Sequence, residues 1–163
     1  MNREKLKWCF RKDSGLRLIE PSANLSVEYF KRADESLVTL SEIETSKDWK
    51  VVAAYYAAYN ALYALFMKCG IKSEIHDCTI EAMSVFIEQS LLTAIDKQNM
   101  LDLKDLRISS QFYISTKPLT EADVEEAAKT AKMLGANFKS CSELLSNQKI
   151  EEIRRRFSQI RNL

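Results

Sequence analysis

The sequence predicts an all-α protein, an antiparallel up-and-down bundle of four to six helices that forms one domain over residues 1–163. Only 3 Gly and 2 Pro occur in 163 residues, which suits long helices joined by few turns. Apolar residues recur at helical spacing, whereas hairpin turns and alternating apolar residues are nearly absent. With 46% hydrophobic and 29% charged residues, the chain can bury a single core.

The first predicted helix follows Pro21, a residue compatible with a first helical turn. It carries apolar residues at i, i+3, i+7 and i+10, namely Phe30, Ala33, Leu37 and Leu40. The second helix begins with Ser46 or Asp48 as its cap and ends at Cys69. Gly70 then occupies the position where helices adopt a left-handed residue.

Four further helical segments complete the predicted bundle. They are approximately 77–91, 94–111, 120–145 and 148–160. The third of these begins at Thr120, which forms a variant of the capping box with Asp123 just after Pro118.

The second predicted helix has an unusually wide apolar arc made of two adjacent stripes. These are Tyr55, Tyr59, Leu62 and Phe66, and beside them Val52, Tyr56, Tyr63 and Met67. Such a helix lies at the centre of a bundle, or it packs one stripe against a second copy of the chain. Asn60 lies one turn from Tyr56, so a small polar pocket is an alternative use of this face. Core packing or a dimer interface is the preferred interpretation.

The cysteines, Cys9, Cys69, Cys78 and Cys141, show no spacing typical of a zinc site. We therefore expect no metal and no cofactor, and we expect reduced thiols that are buried as small hydrophobic residues. The N-terminus lacks the apolar core of a signal peptide and no apolar run is long enough to span a bilayer. The expected location is the cytoplasm, without membrane contact.

Charge is concentrated at the two ends of the chain, although the net charge is only +1. Residues 1–20 hold six Lys or Arg against three Asp or Glu, and residues 149–161 hold five against two. These basic ends allow contact with a polyanion, for example through Arg154, Arg155, Arg156 and Arg161. Solvated helix faces are the simpler explanation of the same pattern.

Three segments carry a family resemblance: AYYAAYNALYALFMKCGIK (54–72), LRISSQFY (106–113) and LTEADVEEAAKTAKMLGANF (119–138). In this order, with a His-headed helix between the first two, they resemble the HEPN (higher eukaryotes and prokaryotes nucleotide-binding) family over about residues 22–146. The resemblance implies a homodimeric bundle of four or five helices. Many such domains are toxins paired with a minimal nucleotidyltransferase antitoxin. Others are metal-independent RNases with an R-x(4–6)-H motif at the dimer interface.

The RNase motif is only partly present in this sequence. Arg107 fits its arginine, but the three positions allowed for the histidine hold Phe112, Tyr113 and Ile114. Tyr113 is the nearest replacement, with Gln111 close by. An ion pair of the arginine with Asp105 or Asp123 is the structural alternative.

Two other positions bear on the missing histidine. Asn60 stands where family members often have a histidine, and His76, the only histidine of the chain, heads the third predicted helix. Capping or local hydrogen bonding is the preferred role of His76, because a helix N-terminus disfavours imidazolium. A tyrosine, with a pKa near 10, is a poor base at neutral pH.

The resemblance therefore predicts a toxin-like HEPN component that binds RNA or a nucleotide and cleaves RNA weakly or not at all. Arg107 and Tyr113 are the candidate catalytic residues, and Gln111, Asn60 and Tyr56 are the candidate ligand-binding residues. The alternative is a non-catalytic homodimeric bundle that serves only as an interaction scaffold.

Overall fold

The computed structural model of the chain describes residues 2–112 and 118–162. Within these ranges the fold is a helical bundle with one very short two-stranded sheet. Its elements in chain order are α1 (Arg3–Arg11), β1 (Arg17–Leu18), α2 (Ala23–Glu42), α3 (Lys47–Cys69), β2 (Ile71–Lys72), α4 (His76–Glu88), α5 (Ala94–Phe112), α6 (Glu121–Leu144) and α7 (Asn147–Arg161). The predicted all-α class is confirmed.

Helix α3 is the central element and contacts α2, α5, α6 and α7. Ser46 caps it by accepting a hydrogen bond from the Trp49 amide at 3.3 Å. Gly70 ends it with φ of 67°, a conformation that is strained for any residue with a Cβ. The predicted bounds and both end residues of this helix are confirmed. The central position in the bundle, one of the two packing arrangements left open by its wide apolar arc, is observed.

The other helices begin and end close to the predicted positions, with two local differences. Pro21 precedes the capping residue Ser22 instead of lying in the first turn of α2. Helix α4 ends at Glu88, before the expected Leu91, and Ser90 beyond it has a positive φ of 56°. The capping box of Thr120 and Asp123 at the start of α6 is present as predicted.

The N-terminal segment is more ordered than the sequence indicated. Helix α1 is too short for its periodicity to stand out, yet it buries Leu6 and Cys9. After it, β1 pairs antiparallel with β2, with Arg17 opposite Lys72. The amide of Ile19 donates to the carbonyl of Gly70 at 2.8 Å. These contacts fasten the N-terminal segment to the end of α3.

The prediction of four reduced cysteines is wrong for two of them. Cys9 on α1 and Cys78 on α4 form a disulfide that closes a sequence separation of 69 residues. Two cysteines so far apart in the sequence leave no local spacing pattern. Only the packing of α1 against α4 reveals that they pair. Cys69 and Cys141 are free and buried, as predicted. Burial raises the pKa of the Cys69 thiol to about 12 and that of Cys141 to about 11.

The arginines of α7 have different structural roles. Arg154 Nη1 donates to the carbonyls of Ile19 at 2.7 Å, Cys69 at 2.9 Å and Gly70 at 3.2 Å, so it joins α7 to the end of α3. Arg156 pairs with a carboxylate on α4, Glu88, at 3.0 Å. By contrast, Arg155 and Arg161 are exposed. Among the described helices, none is long and apolar enough to cross a membrane.

Candidate functional site

One face of α3 places three tyrosine rings against the start of α4. The rings are Tyr55, Tyr59 and Tyr63, and all three are buried. Their hydroxyls contact, respectively, His76 Nδ1 at 2.5 Å, Thr79 Oγ1 at 3.1 Å and the Ser73 carbonyl at 2.9 Å. We call this set of three rings the inner tyrosine row. Because each hydroxyl has a partner, the row forms without an unpaired buried polar group.

His76 lies on this row as a fourth stacked ring. Its imidazole is 4.3 Å from the Tyr59 ring with an interplanar angle of 12°, and 5.7 Å from the Tyr55 ring. The N-cap position of α4 is Ile75, and no side chain caps the helix there. The predicted capping role of His76 is therefore wrong, whereas the broader expectation of a hydrogen-bonding role holds, with Tyr55 as the partner.

Arg107 on α5 covers the same aromatic group. Its guanidinium carbon lies 4.8 Å from the centre of the Tyr55 ring and 6.0 Å from that of Tyr56. Nη1 donates to Gln111 Oε1 at 3.1 Å, one helical turn later. Nε is buried and has no hydrogen-bond partner among the described residues. A buried donor without a partner is unusual. A ligand atom that accepted a hydrogen bond from it would gain binding free energy.

Burial lowers the pKa of His76 below its usual value, and the nearby positive charge of Arg107 lowers it further. The carboxylate of Asp77 acts in the opposite direction, but it is itself paired with Lys104 at 2.6 Å. The imidazole is therefore mostly neutral at pH 7. Burial also raises the pKa of Tyr55, so that its hydroxyl keeps its proton.

With a neutral imidazole and a protonated Tyr55 hydroxyl, the hydrogen bond between them leads to an assignment of the ring proton. The Tyr55 hydroxyl has no other acceptor among the described residues, so we assign it as the donor to His76 Nδ1. The proton of the neutral ring is then assigned to Nε2, which is not hydrogen-bonded to a described residue. Arg107 and His76 thus both offer hydrogen-bond donors. Such donors are better suited to binding a phosphate oxygen than to removing a proton from a substrate.

The structure brings some of the predicted site residues together and separates others. Arg107, Gln111 and Tyr56 lie close to one another. Asn60 instead lines a groove of about 570 Å³ between α2 and α3, and Tyr56 lies on the edge of that groove. Tyr113 lies outside the described residues, in 113–117.

An ion pair with Asp105, one of the two alternatives for Arg107, is not formed among the described residues. The neighbouring carboxylate of Asp105 lies 3.6 Å from Lys104, and the hydrogen bond of Arg107 goes to the neutral amide of Gln111. The charge of Arg107 is therefore compensated mainly by aromatic faces.

The sequence analysis did not predict that His76 lies in the site beside Arg107. The RNase motif requires a histidine within a few residues of the arginine in the sequence. His76 instead reaches the site from another helix. The available indication was indirect: it is the only histidine, and it follows the tyrosine-rich helix by a short connection.

The fold and the site together define a helical-bundle domain with an arginine held over stacked aromatic rings and an imidazole beside it. Comparison with family models places the chain within this class, because the HEPN domain matches residues 27–141. The chain belongs to the HEPN family. Domains of this family have nucleotide- or RNA-related roles and commonly dimerise. No curated protein matches the chain significantly.

Proposed function

We propose that the protein is the toxin-like component of a HEPN and minimal nucleotidyltransferase pair, and that it binds RNA or a nucleotide at Arg107. The observation that carries the proposal is the Arg107 guanidinium, which lies over Tyr55 and whose buried Nε has no hydrogen-bond partner in the described part of the chain. The imidazole of His76 and the amide of Gln111 add neutral hydrogen-bonding groups beside it. Together they fit a phosphate next to a base or a ribose.

The test is a comparison of RNA and mononucleotide binding between the wild type and Arg107→Ala. We expect binding to weaken by about 1–3 kcal/mol because a charge-assisted hydrogen bond is lost. Arg155→Ala is the matched control, since Arg155 is an exposed arginine on α7. Equal binding by Arg107→Ala and the wild type would contradict the proposal.

The same site is expected to cleave RNA weakly or not at all, and without stimulation by metal ions. In the tautomer assigned above, His76 accepts at Nδ1 the hydrogen bond of the Tyr55 hydroxyl, and Arg107 and Gln111 are not bases at neutral pH. A missing general base lowers a rate by roughly 10²–10⁴-fold. Robust metal-independent cleavage that is abolished by Tyr113→Phe would show that an activated tyrosine supplies the base.

The toxin-like role is supported by the family and has its own test. A toxin of this kind requires an antitoxin, so we expect a neighbouring gene to encode a small nucleotidyltransferase. The purified nucleotidyltransferase should bind this protein, and its co-expression should relieve growth inhibition. An isolated gene would favour the scaffold alternative.

A homodimeric interaction surface is the second candidate, and exposed aromatic residues on α3 favour it. Trp49 is 60% exposed and Tyr56 is 36% exposed, and both line the groove between α2 and α3. A dimer would remove this aromatic surface from water. Sedimentation should show a species near twice the 18.8 kDa chain mass, and Trp49→Ala should shift it towards the monomer. A wild-type monomer at tens of micromolar protein would contradict this.

A further inference from the structure

The basic N- and C-terminal segments, which are far apart in the sequence, meet at one pocket. The pocket has a volume of about 510 Å³ and lies where α1 and α7 end beside the β1–β2 pair. Its cationic lining is Arg11, Lys12, Arg17, Lys72 and Arg161. Asp13 is the single carboxylate among the described lining residues, which therefore have a strong excess of positive charge.

Part of this charge is compensated and part is not. Arg17 and Lys72 are directly opposite each other in the strand pair, where like charges repel. Both contact the same oxygen of Glu74, each at 3.1 Å, so one carboxylate serves two cations. Arg11 and Arg161 have no ion-pair partner among the described residues, whereas the Lys12 ammonium lies 5.1 Å from the centre of the Trp8 ring. An anion entering the pocket would therefore meet unpaired cations.

The ends of two helices explain only some of this arrangement. Arg11 and Arg161 lie in the last turns of α1 and α7, where a cation interacts favourably with the helix dipole. That interaction does not account for Arg17 and Lys72, which are on strands. The pocket also has apolar walls, including the half-buried ring of Phe10. Cations beside an aromatic wall are typical of grooves that bind single-stranded nucleic acid.

The pocket lies close to the Arg107 site along the chain. Lys72 lines the pocket, and His76 lies beside Arg107. These two residues are four positions apart, a span of at most about 14 Å even if fully extended. Four of the five cations lie outside the segment 27–141 that matches the HEPN domain. The pocket is thus an addition to the family domain, next to its candidate site.

We propose that this pocket binds the phosphodiester backbone of a single RNA strand whose other part occupies the Arg107 site. The inference rests on the proposed function, because the pocket supplies a second contact to the ligand that binds at Arg107. It names the ligand as an RNA strand of several nucleotides, because a mononucleotide reaches only one of the two sites. The backbone contact is electrostatic and independent of base sequence.

The test measures binding of an oligouridine of roughly 12 nucleotides, a length within the range of single-strand binding sites. The variant is Arg11→Gln with Arg161→Gln, and the matched control is Arg3→Gln with Arg155→Gln. The control removes the same charge from exposed positions on the same two helices, outside the pocket lining. All four arginines are exposed, so both variants are expected to keep the wild-type circular dichroism spectrum.

The pocket variant should bind the oligonucleotide about tenfold more weakly at physiological salt, and its slope of log affinity against log salt should be smaller by about 1.4. The control should stay close to the wild type, and binding of uridine monophosphate should be unchanged in both. Equal oligonucleotide affinity for the pocket variant and the control would overturn the proposal. Weakened monophosphate binding in the pocket variant would also overturn it, because the pocket would then hold an isolated phosphate.

Arg107→Ala separates this proposal from the proposed function. It should weaken both ligands, whereas the pocket variant should weaken only the oligonucleotide. If Arg107→Ala changes neither ligand while the pocket variant weakens the oligonucleotide, the proposed function fails and the pocket remains as an RNA site of its own.

Discussion

The two faces of α3 carry the same kind of residue in opposite environments. On the inner tyrosine row every hydroxyl has a partner in the segment from Ser73 to Thr79. On the adjacent face, Tyr56 and Trp49 border an open groove, and no hydrogen bond of the Tyr56 hydroxyl occurs among the described residues. The comparison shows that a cluster of tyrosines on a helix is core where a neighbouring segment supplies polar partners, and surface where none does.

The largest expected effect concerns the disulfide that holds the start of α4 against α1. Cys78 lies between His76 and Thr79, the partners of the inner tyrosine row. Because the bond closes 69 residues, its loss in Cys9→Ala should destabilise the protein by about 4 kcal/mol. Urea unfolding with and without reductant measures this, and reductant should have no further effect on the variant.

A thiol count checks the disulfide independently. The unfolded wild type should show two reactive thiols, from Cys69 and Cys141, before reduction. Four reactive thiols in protein kept from reductant would show that the bond does not form.

The second prediction compares the two faces directly. Tyr59 is 8% exposed, stacks on His76 and contacts Thr79. The substitution Tyr59→Ala should therefore lower the free energy of unfolding by on the order of 3 kcal/mol or more. Tyr56→Ala is the matched control on the same helix, and its cost should be below about 1 kcal/mol. Chemical denaturation measures both. Similar losses for the two variants would remove the distinction between the faces.

The smallest effect is the pH dependence of the inner face. The pKa of His76 is lowered in the folded state, so below about 6.5 the unfolded state binds the proton more readily. Stability should therefore fall as the pH drops below about 6.5, until the folded imidazole is protonated as well. His76→Gln should flatten the stability curve in this window. The lowered pKa of Asp77 acts separately, at more acidic pH.

An unchanged slope in His76→Gln would mean that the imidazole has its ordinary pKa. A second check follows from the cause of the shift. Arg107→Ala should raise the pKa of His76, because a nearby positive charge is removed. Nuclear magnetic resonance titration of the single histidine reports this value directly.

Much of the bundle was predictable because its information is local. The capping serine and terminal glycine of α3, and the capping box at Thr120, are short-range patterns with a physical cause. Arg107 and Gln111 were also predictable as neighbours, since residues four apart share a helix face. Helix α1 was missed because nine residues hold too few apolar positions for a clear period.

The sequence by itself determined six of the seven described helices, the caps of α3 and α6 and the family to which the chain belongs. The tertiary structure decided the pairing of Cys9 with Cys78, the arrival of His76 beside Arg107, and the meeting of the two basic ends in one pocket. The physical reason is the range of the interactions. Helix propensity and capping act within a few residues, whereas these contacts join positions whose proximity depends on how whole helices pack.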